Sequence, residues 1–353
     1  MPVRVVEPIP KNSTRSALAD WLELSALSSD RKQVSEADLI GLHELYGGDS
    51  VATLRSEPET GEVLDESILE TMQEQSLQAV VEEIMYRAEV LQGCYPFKVK
   101  PRGILLAEST GEEQLTIGEW VYLFCLLSSA IREGGLQTTD ESIETRIASL
   151  FQVCACLAAV GYLSGTASSF GFPRAQGNAF LPALQLAYKE FGEGTVRSDD
   201  NVPPGFPSDL KDGGIDVIAW RDFPDKLPGK LYLLGQCASG KNWKSKPVRT
   251  YIKSFHGNWF TGTPASEPIE ALFIPFTFHH ELQDSDEEDF STRRRNAFHY
   301  ETRTFGVIHD RFRLAYFAGL GSSLPPQNQG AFNENIDKVK AWVGDVLALM
   351  RGN

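Results

Sequence analysis

The chain has 353 residues, of which 42% are apolar and 23% charged, so it is long enough for two domains and can bury a substantial core. Its formal net charge of −15 and pI near 4.9 exclude a general nucleic-acid coat, because non-specific duplex binding depends on neutralising phosphates with Lys and Arg. Any nucleic-acid surface must therefore be confined to a local patch.

The first half reads as helical. Ser13 caps an amphipathic segment with Leu18, Trp21 and Leu22 on one face, and Ser35 with Asp38 resembles a capping box opening VSEADLIGLHELYG. A longer helix is expected from about Asp65 to Gln92, on the spacing of Ile68, Met72, Leu77, Val80, Val81, Ile84 and Met85. Tyr95 to Leu106 reads as extended, since Pro96 and Pro101 disfavour helix and Phe97, Val99, Ile104 and Leu105 favour strand. Helices at about 114–133 and 140–163 complete a mainly helical N-terminal domain, residues 1–165, whose role the sequence leaves open.

No stretch reads as a membrane span. The segment MPVRVVEPIPKNSTRSALADWLEL lacks an uninterrupted apolar run, and the longest apolar tract, SLFQVCACLAAVGYL, falls short of the length a spanning helix needs and reads as a buried helix. The five cysteines show no regular spacing and read as reduced thiols of a cytoplasmic protein. Cys154 and Cys156 point apart on a helix and make no metal pair.

SGTASSFGFPR, rich in Gly and Ser, is expected to join this domain to a second, α/β domain over 166–353. Asn178 to Phe191 reads as a helix ending near Glu190 and Glu193, and NVPPGFPSDLKDGG as an irregular loop. Two strand-like runs follow, Ile215–Trp220 and Leu231–Leu234, separated by the turn-rich RDFPDKLPGK, and together they predict a hairpin. In antiparallel neighbours the start of the first lies beside the end of the second, which brings Asp216 next to Gln236. A carboxylate at such an apolar sheet edge suits a hard divalent cation. Read one by one, the same residues also suit a turn-forming Asp and an ordinary Gly-Lys-Asn loop.

The segment GGIDVIAWRDFPDKLPGKLYLLGQCASGKNW resembles the core of the PD-(D/E)XK nuclease superfamily, and in its GGID opening and its glutamine it resembles Mrr-like restriction endonucleases. The resemblance implies a restriction-endonuclease-like mixed sheet flanked by helices, acting as a Mg²⁺-dependent (or Mn²⁺-dependent) DNA endonuclease in prokaryotic defence, with DNA and a defence-system protein as partners. It assigns Asp216 as metal ligand, Gln236 and the Cys237 carbonyl as groups completing or positioning the coordination shell, and Glu190 as an extra acidic ligand from the preceding helix. The sequence departs from the family at Ala238, where the catalytic lysine belongs, so the resemblance transfers that role to Lys241. The alternative is a non-catalytic nucleic-acid-binding or scaffold subunit that retains the fold without its lysine. Homo-oligomerisation is left open.

Lys244, Lys246, Arg249 and Lys253 follow Lys241 closely and form the expected DNA-contacting patch, with Trp243 and Tyr251 interleaved for sugar or base contacts. The same stretch also reads as a solvated helix start after Pro247. Downstream, strands are expected at Ala271–Phe278 and Phe305–Ile308, with a charged loop LQDSDEEDF between them whose acids pair with Arg293, Arg294 and Arg295. His279 and His280 are adjacent and set no ligand spacing. A final helix over about 332–350 carries Ile336, Val339, Val343, Val346 and Leu347 on one face.

Overall fold

The fold is taken from a computed structural model, which describes residues 4–5, 13–29, 33–34, 66–100, 104–107, 115–171, 179–202, 204–206, 213–240, 242–284, 288–324 and 332–352. The expected capping box at Ser35 and Asp38 lies outside the described residues.

The helices follow local sequence signals. Helix α1 (Arg15–Ser28) starts at Thr14, one residue beyond the expected cap, whose hydroxyl accepts from Ala17 N. Helix α2 spans Glu66–Leu91. Helix α3 (Ile117–Glu133) opens on a capping box in which Thr116 and Glu119 satisfy each other's backbone amides, and it closes on Gly134 at φ 87°. Helix α4 (Glu141–Leu163) is capped by Asp140, with Glu141 and Glu144 placed favourably in its first turn. It is long and apolar enough to cross a membrane, yet 67% of its most apolar stretch is buried inside the fold, as a core helix requires.

Five strands make a mixed sheet. β2 (Val217–Arg221) runs antiparallel to its two neighbours, β1 (Thr166–Ser169) and β3 (Leu231–Cys237), while β4 (Ile269–Phe273) and β5 (Val307–His309) run parallel to β3, giving the spatial order β5-β4-β3-β2-β1. Helix α5 (Phe180–Phe191) lies between β1 and β2 in the chain, and α6 (Val248–Trp259) and α7 (Phe290–Phe305) form the two parallel crossovers. Helices α8 (Arg311–Ser322) and α9 (Phe332–Met350) end the fold. The expected linker SGTASSFGFPR thus supplies a strand, β1, which pairs with β2 along its whole length.

Side-chain alternation divides the sheet. Val217, Ala219, Leu233, Ala271 and Phe273 face a large core shared with α1, α3, α4, α8 and α9, whereas Ile218, Trp220, Tyr232 and Leu234 face α5 and α6. That shared core runs from Ala19 to Leu347, so the hydrophobic interior does not divide at residue 165.

Two features of this packing give testable consequences. Helices α4 and α8 touch backbone to backbone, since a Cβ on Gly161 would lie 1.9 Å from Phe317 O and one on Gly321 2.9 Å from Leu157 O. Gly161→Ala is expected to force the pair apart and cost about 1–3 kcal/mol or more, measured by urea denaturation. At the end of β5, His309 is fully buried, stacked on Phe273 at 4.9 Å and edge-on to Tyr162 at 4.9 Å. Burial, aided by Arg313, holds its imidazole at about 3 against an ordinary 6.5. A depressed pKa contributes stability that is complete above the unfolded value and is lost as pH falls through the folded one. His309→Phe is therefore expected to flatten the melting temperature between pH 6.5 and 3, where the parent chain loses stability.

Candidate functional site

The hairpin brings Asp216, just before β2, to the end of β3. Val217 pairs with Gly235, and just beyond it the register slips by one residue: Asp216 N also donates to Gly235 O, at 2.8 Å, and Cys237 N donates to Asp216 Oδ2 at 2.8 Å. The chain leaving β1 closes the other side, with Phe170 N and Gly171 N donating to Asp216 O at 2.7 and 3.0 Å. Asp216 is therefore held by backbone from both neighbouring strands, with 8% of its surface exposed.

Helix α4 contributes a residue that the sequence reading missed. Gln152 is 5% exposed, its Oε1 accepts from Ser169 Oγ at 3.1 Å, and its amide converges with Asp216 on Gly171. A Cβ on Gly171 would lie 2.3 Å from Asp216 Oδ1 and 2.4 Å from Gln152 Nε2, so only glycine fits between the two. The spacing of apolar residues in the α4 segment marks Gln152 merely as the polar interruption of a buried helix.

Glu190 is not part of this arrangement. It is exposed on α5, one residue before Phe191, which packs on Trp220 and Tyr232 at 5.5 and 5.0 Å. Those residues lie four positions along the hairpin from Asp216 and Gln236, roughly 13 Å away at strand rise. Glu193 is also engaged elsewhere, accepting from Lys230 N at 2.9 Å.

The two cysteines beside Asp216 stay protonated at neutral pH. Burial, then the Asp216 charge, pushes Cys156 up to about 12 and Cys237 well above its ordinary value. A thiolate role for Cys237 is thereby removed, and what it gives the site is its backbone N–H.

The basic segment is only partly available. Lys244 pairs with Glu281 at 2.7 Å, and Arg249 pairs with Glu270 at 2.6 Å while donating to Arg303 O. Lys253 is exposed and Lys246 half-buried, and neither makes a hydrogen bond or ion pair among the described residues. Lys246 is near enough for its charge to favour the Cys237 thiolate, against the larger effect of burial. Lys241 lies outside the described residues. Trp243 is a core residue, 2% exposed and packed with Phe276, Phe278 and Phe305, so it is not a base-stacking platform. The expected pairing of Arg293, Arg294 and Arg295 with acids is not formed among the described residues: Arg293 donates to Gln283 O and Arg294 lies over Tyr86.

Oxygen ligands for a hard cation are present in small number. The Asp216 carboxylate is a hard donor on the α4 side of the sheet, beside Gln152, whereas Gln236 Oε1, buried and without a partner among the described residues, belongs to the alternating row of β3 that carries Tyr232 and Leu234 towards α5 and α6. Mg²⁺ is ordinarily held by one or two carboxylates with waters and substrate phosphate oxygens completing an octahedron, so a single carboxylate fits Mg²⁺ better than a metal that needs a full protein cage. No group of three or more His, Cys, Asp or Glu among the described residues is placed to hold a metal ion.

No protein-family model matches the chain, and neither a curated protein nor a solved structure is significantly similar to it.

Proposed function

We propose that the chain is a Mg²⁺-dependent DNA endonuclease of the restriction-endonuclease-like type. The observation that carries this reading is the buried Asp216 carboxylate, held by Cys237 N where β2 begins and β3 ends, at one end of a mixed, helix-flanked sheet. When bound, the cation would supply charge for the attacked phosphate and a water of lowered pKa. The chain's own part is to hold the Asp216 carboxylate in place through Cys237 N, with Gln152 of α4 beside it at Gly171. A lysine would offset charge building on phosphorus. Lys246, half-buried and unpaired among the described residues, joins Lys241 as a candidate for that task. The setting, restriction of foreign DNA in a prokaryote together with a protein partner, rests on the resemblance alone.

A second reading is favoured by one observation. Ala238 is fully buried with Trp243, Leu272 and Ile274, so the position at which the family carries its lysine is sealed into core. A scaffold that kept the fold and lost the chemistry would look the same there. The two readings separate on incubation of supercoiled plasmid with the purified chain and Mg²⁺ or Mn²⁺. Nicking that Asp216→Ala abolishes supports the nuclease, whereas DNA binding without cleavage in either metal supports the scaffold.

A further inference from the structure

A cleft of about 1120 Å³ opens along the free edge of β5, walled by α7 and α8 and floored by residues of α2 and α4. It lies three strand positions from β2, roughly 14 Å from Asp216 at ordinary strand spacing, and shares no residue with the site described above. In a chain of net charge −15 its cations stand out. Arg294 lies 3.6 Å over the Tyr86 ring and Arg313 4.2 Å over Phe298, so each guanidinium is held by its face with N–H edges left to donate. Arg313 uses one donor on Ile308 O at 2.8 Å, and Arg295 is exposed with no partner among the described residues.

The two acids lining the cleft are already engaged. Glu270 is paired with Arg249, and the oxygens of Asp310 accept from Phe278 N and Arg313 N. The deep end is aromatic, formed by Tyr162 and Phe317, 5.1 Å apart, around His309. Neither nitrogen of that buried imidazole has a partner among the described residues. One end of the cleft thus offers planar cations suited to phosphate oxygens, and the other offers aromatic rings packed over the buried His309.

We propose that this cleft binds a nucleoside phosphate, with the phosphate on Arg294, Arg295 and Arg313 and the base laid against the half-buried Tyr162 and Phe317 rings. The site is independent of the nuclease reading. The residue row Cys237, Phe273, His309 runs across β3, β4 and β5 in register, so β4 separates the aromatic end of the cleft from the strand that holds Asp216.

Isothermal titration with AMP, GMP, the dinucleotide pApA, adenosine and inorganic phosphate tests it without reading cleavage. At least one nucleotide is expected to bind saturably, about ten-fold or more tighter than adenosine or phosphate alone. The Arg294→Gln/Arg295→Gln pair, both on the surface of α7, is expected to lose about ten-fold in affinity with an unchanged circular-dichroism spectrum, and Asp216→Asn is expected to bind as the parent does. Absence of saturable binding up to about 1 mM overturns the proposal. So does phosphate binding as tightly as AMP, which would leave an anion site with no role for the aromatic end, and so does nucleotide affinity indifferent to the arginine pair.

Discussion

Replacing Arg87 with methionine is expected to destabilise the fold by about 3–5 kcal/mol, read from the urea midpoint, the largest stability effect of any single side chain considered. Arg87 is fully buried and holds three carboxylates, Glu83 at 2.9 Å, Asp20 at 2.6 Å and Glu23 at 2.9 Å, while also donating to Ser16 O. Arg311 grips Asp20 from the other side with two bonds of 2.7 and 2.8 Å, and Tyr95 and Tyr122 donate to Glu23. Removing one guanidinium leaves these acids buried without enough positive charge, which costs far more than the pair itself contributes. The exposed Arg146–Asp345 pair is the control, and Arg146→Met is expected to cost no more than about 1 kcal/mol.

The same network sets an acid limb to stability. Burial alone would raise Asp20 and Glu83, yet Arg311 and Arg87 for the first, and Arg87 with His279 for the second, bring both to about 2 from 3.8 and 4.5. Their contribution is complete above the unfolded values and disappears as pH falls from there towards 2. Glu23 works in the opposite sense: burial and the neighbouring Asp20 raise it above its ordinary value despite Arg87, so it favours folding on the acid side and opposes it as pH rises. Glu23 therefore opposes the acid limb set by Asp20 and Glu83, and Arg87→Met is expected to shrink the part of that limb due to Asp20 and Glu83 along with the total stability.

None of this network was legible in the sequence, where Asp20, Arg87 and Arg311 read as ordinary charges on amphipathic helices. Their meeting depends on packing between segments 67 and 291 residues apart, which no local period encodes. The hairpin was legible, because two apolar runs flank a turn rich in proline and glycine, whereas the slip at its end, which ties Asp216 to Gly235 O and Cys237 N, was not. Strand β1 was not, since Thr-Ala-Ser-Ser carries no apolar alternation and derives its strand form from the edge of β2. That omission misdirected the search for the helix beside the site. With β1 unseen, α5 is the helix before the Asp strand and Glu190 its obvious acid. With β1 in place, α4 packs under Asp216 and the residue delivered there is Gln152.

Asp216→Asn is expected to lower metal-dependent plasmid nicking by at least about 100-fold, since loss of residues that merely support a metal ligand already costs roughly 10–100-fold. The asparagine keeps an oxygen to accept the Cys237 N–H and keeps the side-chain volume beside Gly171, so the melting temperature should move little. Asp216→Ala would orphan that N–H and mix a stability effect into the rate. The cation is located by the same assay: of Lys241→Met and Lys246→Met, the variant that loses nicking while retaining duplex binding identifies the lysine acting on the reacting phosphate, whereas a lysine that only contacts backbone phosphate would weaken binding and leave turnover of bound DNA intact. Loss through Lys246 would mean that the segment after β3 carries the charge back to the strand end from eight residues beyond Ala238, and sealing of the family position into the core of Trp243, Leu272 and Ile274 would then be a displacement of the lysine and not its disappearance. If the parent chain nicks as slowly as Asp216→Asn, the carboxylate serves only to tie β2 to β3 through Cys237 N, and the fold has been kept for binding alone.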